Sequence, residues 1–442
     1  MGEFFGTDGF RGEAGKTLTA EKAFSLGCFL GEYLSAFRPS PRVVIGKDPR
    51  RSSYMLEYAL AAGLTSCGAN VYLLHVTTTP SVGYVVLSEG FDFGVMISAS
   101  HNAYTDNGIK FLDARGEKPD EEVIRRAEEY LKEGRAPAFV SGEKIGRTVD
   151  YVEGRNRYAG YLISLARYSL RGLKIGLDCA NGSAFFLAGS VFSALGAQVY
   201  TIHAQPSGVN INERCGSTRP EVLAQFVQSH RLDIGFAFDG DADRCICVDA
   251  SGKVVDGDGI LYLCALYMQE RGELEGNLVV GTVMTGEGLV RALQKKGIAC
   301  ERAFVGDKYV QRRMRETGAC LGGEPSGHVI FRKHSSTGDG IVTAIKVLEV
   351  ILERKKPLSE LLADYTPLPS VLVNVPVQNK VAVNAPAVVR AAARWNEEGK
   401  VRVLVRASGT ENKVRILAEG ESLSDCRVAA ALIEEAVRAE DK

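Results

Sequence analysis

The feature that most constrains this chain is a repeat. The pattern G-A-x-V-Y-x-x-H occurs at 68–75 (G-A-N-V-Y-L-L-H) and again at 196–203 (G-A-Q-V-Y-T-I-H). Each copy follows a short apolar strand and a stretch with helical spacing. In the first copy these are V-V-I-G-K-D, residues 43–48, and residues 56–67. In the second they are L-K-I-G-L-D, residues 173–178, and residues 184–195. A fainter third copy runs from Leu278–Val283 through Gly288–Lys296 to Gly297–Arg302. Strand–helix–strand units this short call for right-handed crossovers and a mostly parallel sheet. Three copies predict three related α/β domains.

At roughly 100–200 residues per domain, 442 residues make two to four domains. The breaks follow composition. After a helix expected over 119–132, opened by Pro119, residues 134–148 turn Gly-rich and irregular. A second break lies near Ser251–Asp258, and a third at the Pro-rich stretch Pro367–Pro369. The expected layout is 1–150, 151–252, 253–366 and 367–442. It comprises three α/β domains with mixed or parallel sheets and a smaller C-terminal α+β domain, read as strand, helix, strand, helix.

Charge narrows the function classes. Lys plus Arg is 53 and Asp plus Glu is 54, a net charge of −1, so no global attraction draws the chain to nucleic acid or an anionic membrane. No apolar run approaches the ~20 residues that span a bilayer. The start, M-G-E-F-F-G-T-D-G, lacks the pattern of a signal peptide, and the expected compartment is the cytoplasm. The ten cysteines are scattered without any C-x-x-C, which argues against a zinc site or a disulfide framework.

Four strings carry chemistry. D-G-D-A-D-R, residues 239–244, follows the strand D-I-G-F-A-F. Three alternating carboxylates can aim several oxygens at one hard cation such as Mg²⁺. An EF-hand would need Gly and Glu at its sixth and twelfth positions, where Arg244 and Ala250 stand. I-S-A-S-H-N-A-Y-T-D-N-G-I-K, residues 97–110, follows the strand F-G-V-M, and open parallel sheets place ligand sites at such strand ends. It lacks the G-x-S-x-G elbow of a hydrolase. G-G-E-P-S-G-H, residues 322–328, could grip sugar hydroxyls or be a structural turn. R-A-S-G-T-E-N-K-V-R, residues 406–415, offers the positive charge and the N–H and O–H donors a phosphate needs; a solvated basic turn is the alternative. F-G-T-D-G-F-R-G, residues 5–12, adds a Gly-flanked arginine. Gly15-Lys16-Thr17 imitates the end of a nucleotide-binding loop, but Phe10 stands where that loop needs Gly.

Together and in this order, these strings resemble the α-D-phosphohexomutase family, and within it the branch acting on glucosamine phosphates. The likeness spans nearly the whole chain and includes D-C-A-N-G, G-V-N-I-N-E-R-C-G-S-T, V-D-G-D, V-G-D-K-Y-V and S-T-G-D-G. It implies a four-domain fold and interconversion of glucosamine 6-phosphate and 1-phosphate through a phosphoserine and a hexosamine 1,6-bisphosphate, which also serves as primer. It implies Ser100 as the phosphoserine, with His101 beside it. Asp239, Asp241 and Asp243 would hold Mg²⁺, the phosphoserine completing the shell. Arg244 would approach the phosphoryl group. Arg11 and Lys110 would be the active-site arginine and general acid/base, provided the environment lowers the pKa of Lys110. Glu324 and Ser326, with His328 next to them, would read sugar hydroxyls. Arg406, Ser408, Gly409, Thr410 and Arg415 would clamp the non-transferring phosphate. The expected partner is a small sugar phosphate, with neither nucleic acid nor membrane, for a monomer or homodimer.

The chain departs from the family pattern at Ala103 and Asn412, where proline is usual, at Lys308, commonly Arg, and at Thr285-Gly286, usually Ser-Asn. Ala103 removes a φ constraint and predicts a looser serine loop. The rival readings are a phosphomannomutase or phosphoglucomutase of the same chemistry, a Mg²⁺-dependent sugar phosphatase, and a non-catalytic sugar-phosphate sensor.

Overall fold

Each repeat folds as a parallel strand pair bridged by a helix. The computed structural model describes residues 4–6, 8–408 and 412–441. The first unit is strand Arg42–Lys47, helix Arg51–Ser66 and strand Asn70–Val76. The second is Lys174–Asp178, Ala184–Ala194 and Gln198–Ile202. The third is Leu278–Thr282, Glu287–Lys295 and Ala299–Ala303. In all three the two strands are parallel neighbours. The histidines that end the two strongest copies share a left-handed backbone, φ 57° at His75, beside a register shift near the end of its strand, and 48° at His203, just past the end of its strand.

The sheets are mixed rather than mostly parallel. The first orders its strands Phe5–Gly6, Gly9–Glu13, Asp106–Leu112, Phe93–Ile97, Arg42–Lys47, Asn70–Val76, Thr148–Asp150. The second runs Val254–Val255, Cys245–Asp249, Ile234–Phe238, Lys174–Asp178, Gln198–Ile202. The third runs Ala299–Ala303, Leu278–Thr282, Leu321–Gly323, Val329–Phe331. In each, one parallel strand turns back on an antiparallel neighbour: Phe93–Ile97 on Asp106–Leu112, Ile234–Phe238 on Cys245–Asp249, and Leu321–Gly323 on Val329–Phe331. The turns of these three hairpins are the serine, aspartate and Glu324 loops. Repetition of one unit thus delivers three chemical loops from equivalent positions. The strands feeding them are buried throughout.

The C-terminal unit corrects the expected strand, helix, strand, helix order. It is strand Ser370–Pro376, helix Pro386–Glu398, strands Val401–Ala407 and Lys413–Gly420, then helix Leu423–Glu440. Lys413–Gly420 lies central in an antiparallel three-stranded sheet. Its first residues, Lys413, Val414 and Arg415, are the end of the string expected to clamp a phosphate. The string 406–415 therefore begins on one antiparallel strand, Val401–Ala407, and ends on the next.

This unit docks on the third sheet's helix Glu287–Lys295. Glu419 accepts the Glu287 N–H at 2.9 Å, and Arg402 donates to Glu419 at 3.1 Å and to the Thr285 carbonyl at 3.0 Å. The departure Thr285-Gly286 falls in this joint, where Asp258 accepts the Gly286 N–H at 2.7 Å. Burial, with Asp256 adding repulsion, pushes Asp258 up to about 8 from its ordinary 3.8. An acid raised in the folded state contributes stability below its unfolded pKa and loses it as pH rises through the folded one. Asp258→Asn keeps an acceptor for Gly286, so it should raise Tm at about pH 9 and leave it unchanged near pH 3.5. Thermal melts across that range check the sign.

Candidate active site

Ser100 sits at the hairpin turn after Phe93–Ile97 with φ 51°, a left-handed backbone that a serine holds only when its surroundings fix it. Its N–H donates to Ser98 Oγ at 2.9 Å. Its carbonyl accepts from Arg50 at 3.2 Å and from Asn212 at 2.8 Å, and the Asn102 carbonyl accepts from the same pair at 2.6 and 3.0 Å. Arg50 is fully buried and ion-paired with Asp48. These ties hold the loop at Ser100 and Asn102, next to Ala103. Ser100 is 1% exposed, and its Oγ donates to Asp239 at 2.6 Å. His101 Nδ1 lies 3.2 Å from that oxygen. Burial, then Arg244 and Arg11, pull His101 down to about 3, so its ring is neutral near pH 7.

Asp239, Asp241 and Asp243 are buried, with ligand oxygens all within 4.8 Å of one another. Burial, then repulsion within the set, raises Asp239 and Asp243. Asp241 falls to about 2 because Lys110 and Thr79 outweigh its burial. Oδ1 of Asp241 and Oδ1 of Asp243 are buried with no hydrogen-bond partner among the described residues. A buried carboxylate oxygen left unpaired is costly, and a hard divalent cation supplies what these two lack. The cluster therefore fits a metal ion.

Gly240 lets the two loops meet. A Cβ there would lie 2.4 Å from the Ser100 carbonyl oxygen. Gly240→Ala should push the serine loop off the aspartate loop and cut kcat by about a hundredfold, the scale of a 1 Å misplacement. Circular dichroism should stay native, which separates this from unfolding.

Lys110, on Asp106–Leu112, places Nζ 2.8 Å from Asp241, 3.2 Å from Asp8 and 3.7 Å from Asp243. Burial alone would lower its pKa, but these carboxylates more than reverse it. The carboxylates around it thus favour the charged ammonium in this arrangement. Arg11 pairs with Asp8. Arg244 donates its N–H to Asp239 at 3.3 Å, and its side chain lies 3.8 Å from Asp243. Burial works against the Arg244 charge, while Asp239, Asp243 and Glu324 hold it on. Arg244 thus stands between the aspartate loop and the Glu324 loop.

Glu324 accepts the Gly306 N–H at 3.0 Å, with Ser326 Oγ 3.5 Å from its other oxygen. His328 lies beside Glu324, whose N–H donates to its carbonyl at 2.9 Å. It is 3% exposed and packs against Gly338, with Nε2 4.0 Å from Asp307 and neither ring nitrogen hydrogen-bonded among the described residues. Arg406 and Arg415 face each other across the C-terminal ladder. Burial and then Arg415 depress Arg406, against the pull of Glu324, so the pair is suited to receive a dianion. Ser408 donates its N–H to the Lys413 carbonyl at 2.8 Å. Gly409 and Thr410 lie outside the described residues. Of the other departures, Asn412 accepts the Val377 N–H at 3.0 Å, and Lys308 reaches Glu121 at 3.2 Å.

Sequence reasoning missed several residues at the site. Asp8, Asn212 and Asp307 lie in strings quoted above but had no role assigned. Arg50, Thr79 and Lys118 carry no local signal, since only the tertiary fold brings Arg50 to the serine loop, Thr79 to the aspartate loop and Lys118 to Asp8 and Asp307.

Comparison with known proteins agrees along the chain. Profiles of the phosphoglucomutase/phosphomannomutase α/β/α domains I, II and III match residues 2–137, 150–252 and 256–368, and that of the C-terminal domain matches 372–436. A phosphoglucosamine mutase of Lachnoclostridium phytofermentans is 55% identical over 434 residues, 97% of this chain and 96% of that one. The Brevibacillus brevis phosphoglucosamine mutase is 45% identical over 427 residues, 95% of each. A Burkholderia thailandensis phosphoglucomutase/phosphomannomutase family structure superposes with TM-score 0.83 at 26% identity, covering 99% of this chain and 97% of that one. With four domain profiles in order and full-length relatives above 40% identity, the chain belongs to the phosphoglucomutase/phosphomannomutase family of phosphohexomutases.

Proposed function

We propose that the protein interconverts glucosamine 6-phosphate and glucosamine 1-phosphate through a phosphoserine at Ser100 and a bisphosphate intermediate. The observation that carries this is the 2.6 Å contact of Ser100 Oγ with Asp239, which sets a hydroxyl from one domain against a buried carboxylate cluster of another. Asp239, Asp241 and Asp243, with the phosphoserine, would hold Mg²⁺, which neutralises charge on the phosphoryl group when bound. Arg11 and Arg244 add positive charge around it. In the forward half-reaction the P–O bond to Ser100 Oγ breaks as a bond to the sugar hydroxyl oxygen forms. Lys110 would give its proton to Ser100 Oγ and take the one the sugar hydroxyl loses, so that bonds and protons balance. The hexosamine 1,6-bisphosphate then turns around, and Ser100 accepts the other phosphoryl group. Glu324 and Ser326 would orient the ring, and Arg406, Ser408 and Arg415 would hold the idle phosphate. The ten free cysteines suit a reducing compartment, and we assign the protein to the cytoplasm.

Phosphomannomutase or phosphoglucomutase activity is the second reading, favoured by the family profiles themselves. Purified protein incubated with Mg²⁺, a trace of bisphosphate and each hexose or hexosamine phosphate decides between them. The proposal expects isomerisation of glucosamine phosphate with little free phosphate. Release of phosphate without isomerisation would mark a phosphatase.

The paired guanidiniums carry a further prediction. Arg406→Ala should raise KM by about ten- to a hundredfold, the loss of one charge-assisted anchor to a phosphate. A domain carrying that clamp closes over the bisphosphate and keeps water from the phosphoserine. The variant should therefore shed bisphosphate and depend on its addition. Scattering with and without substrate should show the liganded form more compact.

A further inference from the structure

One chain of contacts runs from the Glu324 loop through Asp307, Lys118 and Asp8 to Lys110, which holds Asp241 of the aspartate loop. Glu324 accepts the N–H of Gly306 at 3.0 Å. The next residue, Asp307, opens helix Asp307–Thr317. Its Oδ1 lies 2.6 Å from Lys118 Nζ, and that same nitrogen lies 2.6 Å from Asp8 Oδ1. The other oxygen of Asp8 takes Arg11 and stands 3.2 Å from Lys110 Nζ. Asp307 belongs to the third sheet's unit; Asp8, Lys110 and Lys118 belong to the first.

The surroundings make this more than a surface ion pair. Asp8, Lys110, Lys118, Asp243 and Asp307 wall a cavity of about 20 Å³, room for a single water. Asp8, Lys118 and Asp307 are each half-buried, so charges at these distances attract more strongly than they would on an open surface. Burial would raise Asp8, but Lys110, Lys118 and Arg11 hold it well below the usual carboxylate range. Lys110 has two close anchors that differ in kind. Asp241 is a candidate metal ligand, whose charge is shared once a cation is bound. Asp8 is outside that cluster, so its hold on Lys110 does not depend on the cation. Asp8 itself lies in a turn between two short strands, Phe5–Gly6 and Gly9–Glu13, and Lys118 braces it from beyond that turn.

We propose that Asp8, Lys118 and Asp307 form a strut between the first and third domains that sets Lys110 and Arg11 for phosphoryl transfer, with Asp8 and Lys118 as positioning residues. The inference deepens the mutase reading above and rests on it for its kinetic part. Its function would be to bring the lysine into line only when the sugar-reading domain is seated.

The full-length protein tests this with Lys118→Met, which keeps bulk and removes the charge, Lys118→Arg, and Asp307→Asn, which keeps an acceptor at the helix start. Lys118→Met and Asp307→Asn should each lower kcat by about ten- to a hundredfold with KM changed by less than about threefold. Lys118→Arg should recover most of kcat. The double variant Lys118→Met/Asp307→Asn should be no worse than either single one, because both break the same strut. Hydrogen exchange supplies a readout independent of turnover: Asp307→Asn should speed amide exchange at residues 8–12 of the other domain. Should Lys118→Met not fold, Asp307→Asn decides alone. Wild-type kcat in Asp307→Asn, additive losses in the double variant, or unchanged exchange at 8–12 would overturn the strut. Absence of any isomerisation by the wild type would instead overturn the mutase reading, with the exchange measurement still deciding the strut.

Discussion

Ser100→Ala should abolish turnover, by roughly four orders of magnitude or more, while the protein still binds sugar phosphate. The substitution removes only the oxygen that would carry the phosphoryl group, and catalysis through a covalent carrier has no partial substitute. The loop should keep its shape, since its ties run through backbone groups: the Ser100 N–H to Ser98, and the Ser100 carbonyl to Arg50 and Asn212. Calorimetric titration should therefore return a near-normal Kd. Ser98→Ala is the control. Ser98 Oγ accepts the Ser100 N–H at 2.9 Å and a longer contact from Arg50 at 3.5 Å, so its loss should cost about tenfold, the scale of one hydrogen bond. A dead Ser98 variant beside an active Ser100 variant would reverse the assignment.

Asp241→Asn should be nearly as damaging, costing about a hundred- to a thousandfold in kcat, the scale of a lost preorganised charge. This carboxylate does three things at once. Its Oδ2 accepts from Lys110 at 2.8 Å and from Thr79, and its Oδ1 is one of the two unpaired oxygens offered to a cation. An amide keeps the Thr79 acceptor but loses the charge that holds Lys110 and the metal. Chelation should stop the wild type and Mg²⁺ should restore it, whereas the variant should need far more Mg²⁺. Full wild-type activity in excess chelator would sink the metal role.

Much of the architecture was legible because it repeats. The G-A-x-V-Y-x-x-H pattern located the parallel pairs ending at His75 and His203, and the faint third copy matched Leu278–Ala303. Periodicity reports burial along one strand and not the direction of its neighbour, so the antiparallel return strands at Asp106–Leu112, Cys245–Asp249 and Val329–Phe331 were absent from the sequence reading. The same blindness hid Lys413–Gly420, whose basic start looked like loop chemistry. At the site, the aspartates were legible because their spacing alone places three carboxylates on one turn. The state of Lys110 was not, because the sign of its shift depends on Asp8 and Asp243 arriving from distant segments. The burial of His328 against Gly338 is a packing outcome that no local string announces. Arg50, which with Asn212 holds Ser100 in its left-handed conformation, acts through backbone carbonyls and leaves no motif of its own, and the string that contains Asn212 does not announce that contact.

The most direct test follows a single label. The protein is phosphorylated at Ser100 with ³²P-labelled bisphosphate, freed of excess, and mixed with unlabelled glucosamine 6-phosphate and Mg²⁺ for a single turnover. The account predicts that the label leaves Ser100 and appears in hexosamine bisphosphate and monophosphate, with Ser100 rephosphorylated from the unlabelled end and little label as free phosphate. Label that stays on the protein while sugar isomerises, or that departs only as inorganic phosphate, would contradict it.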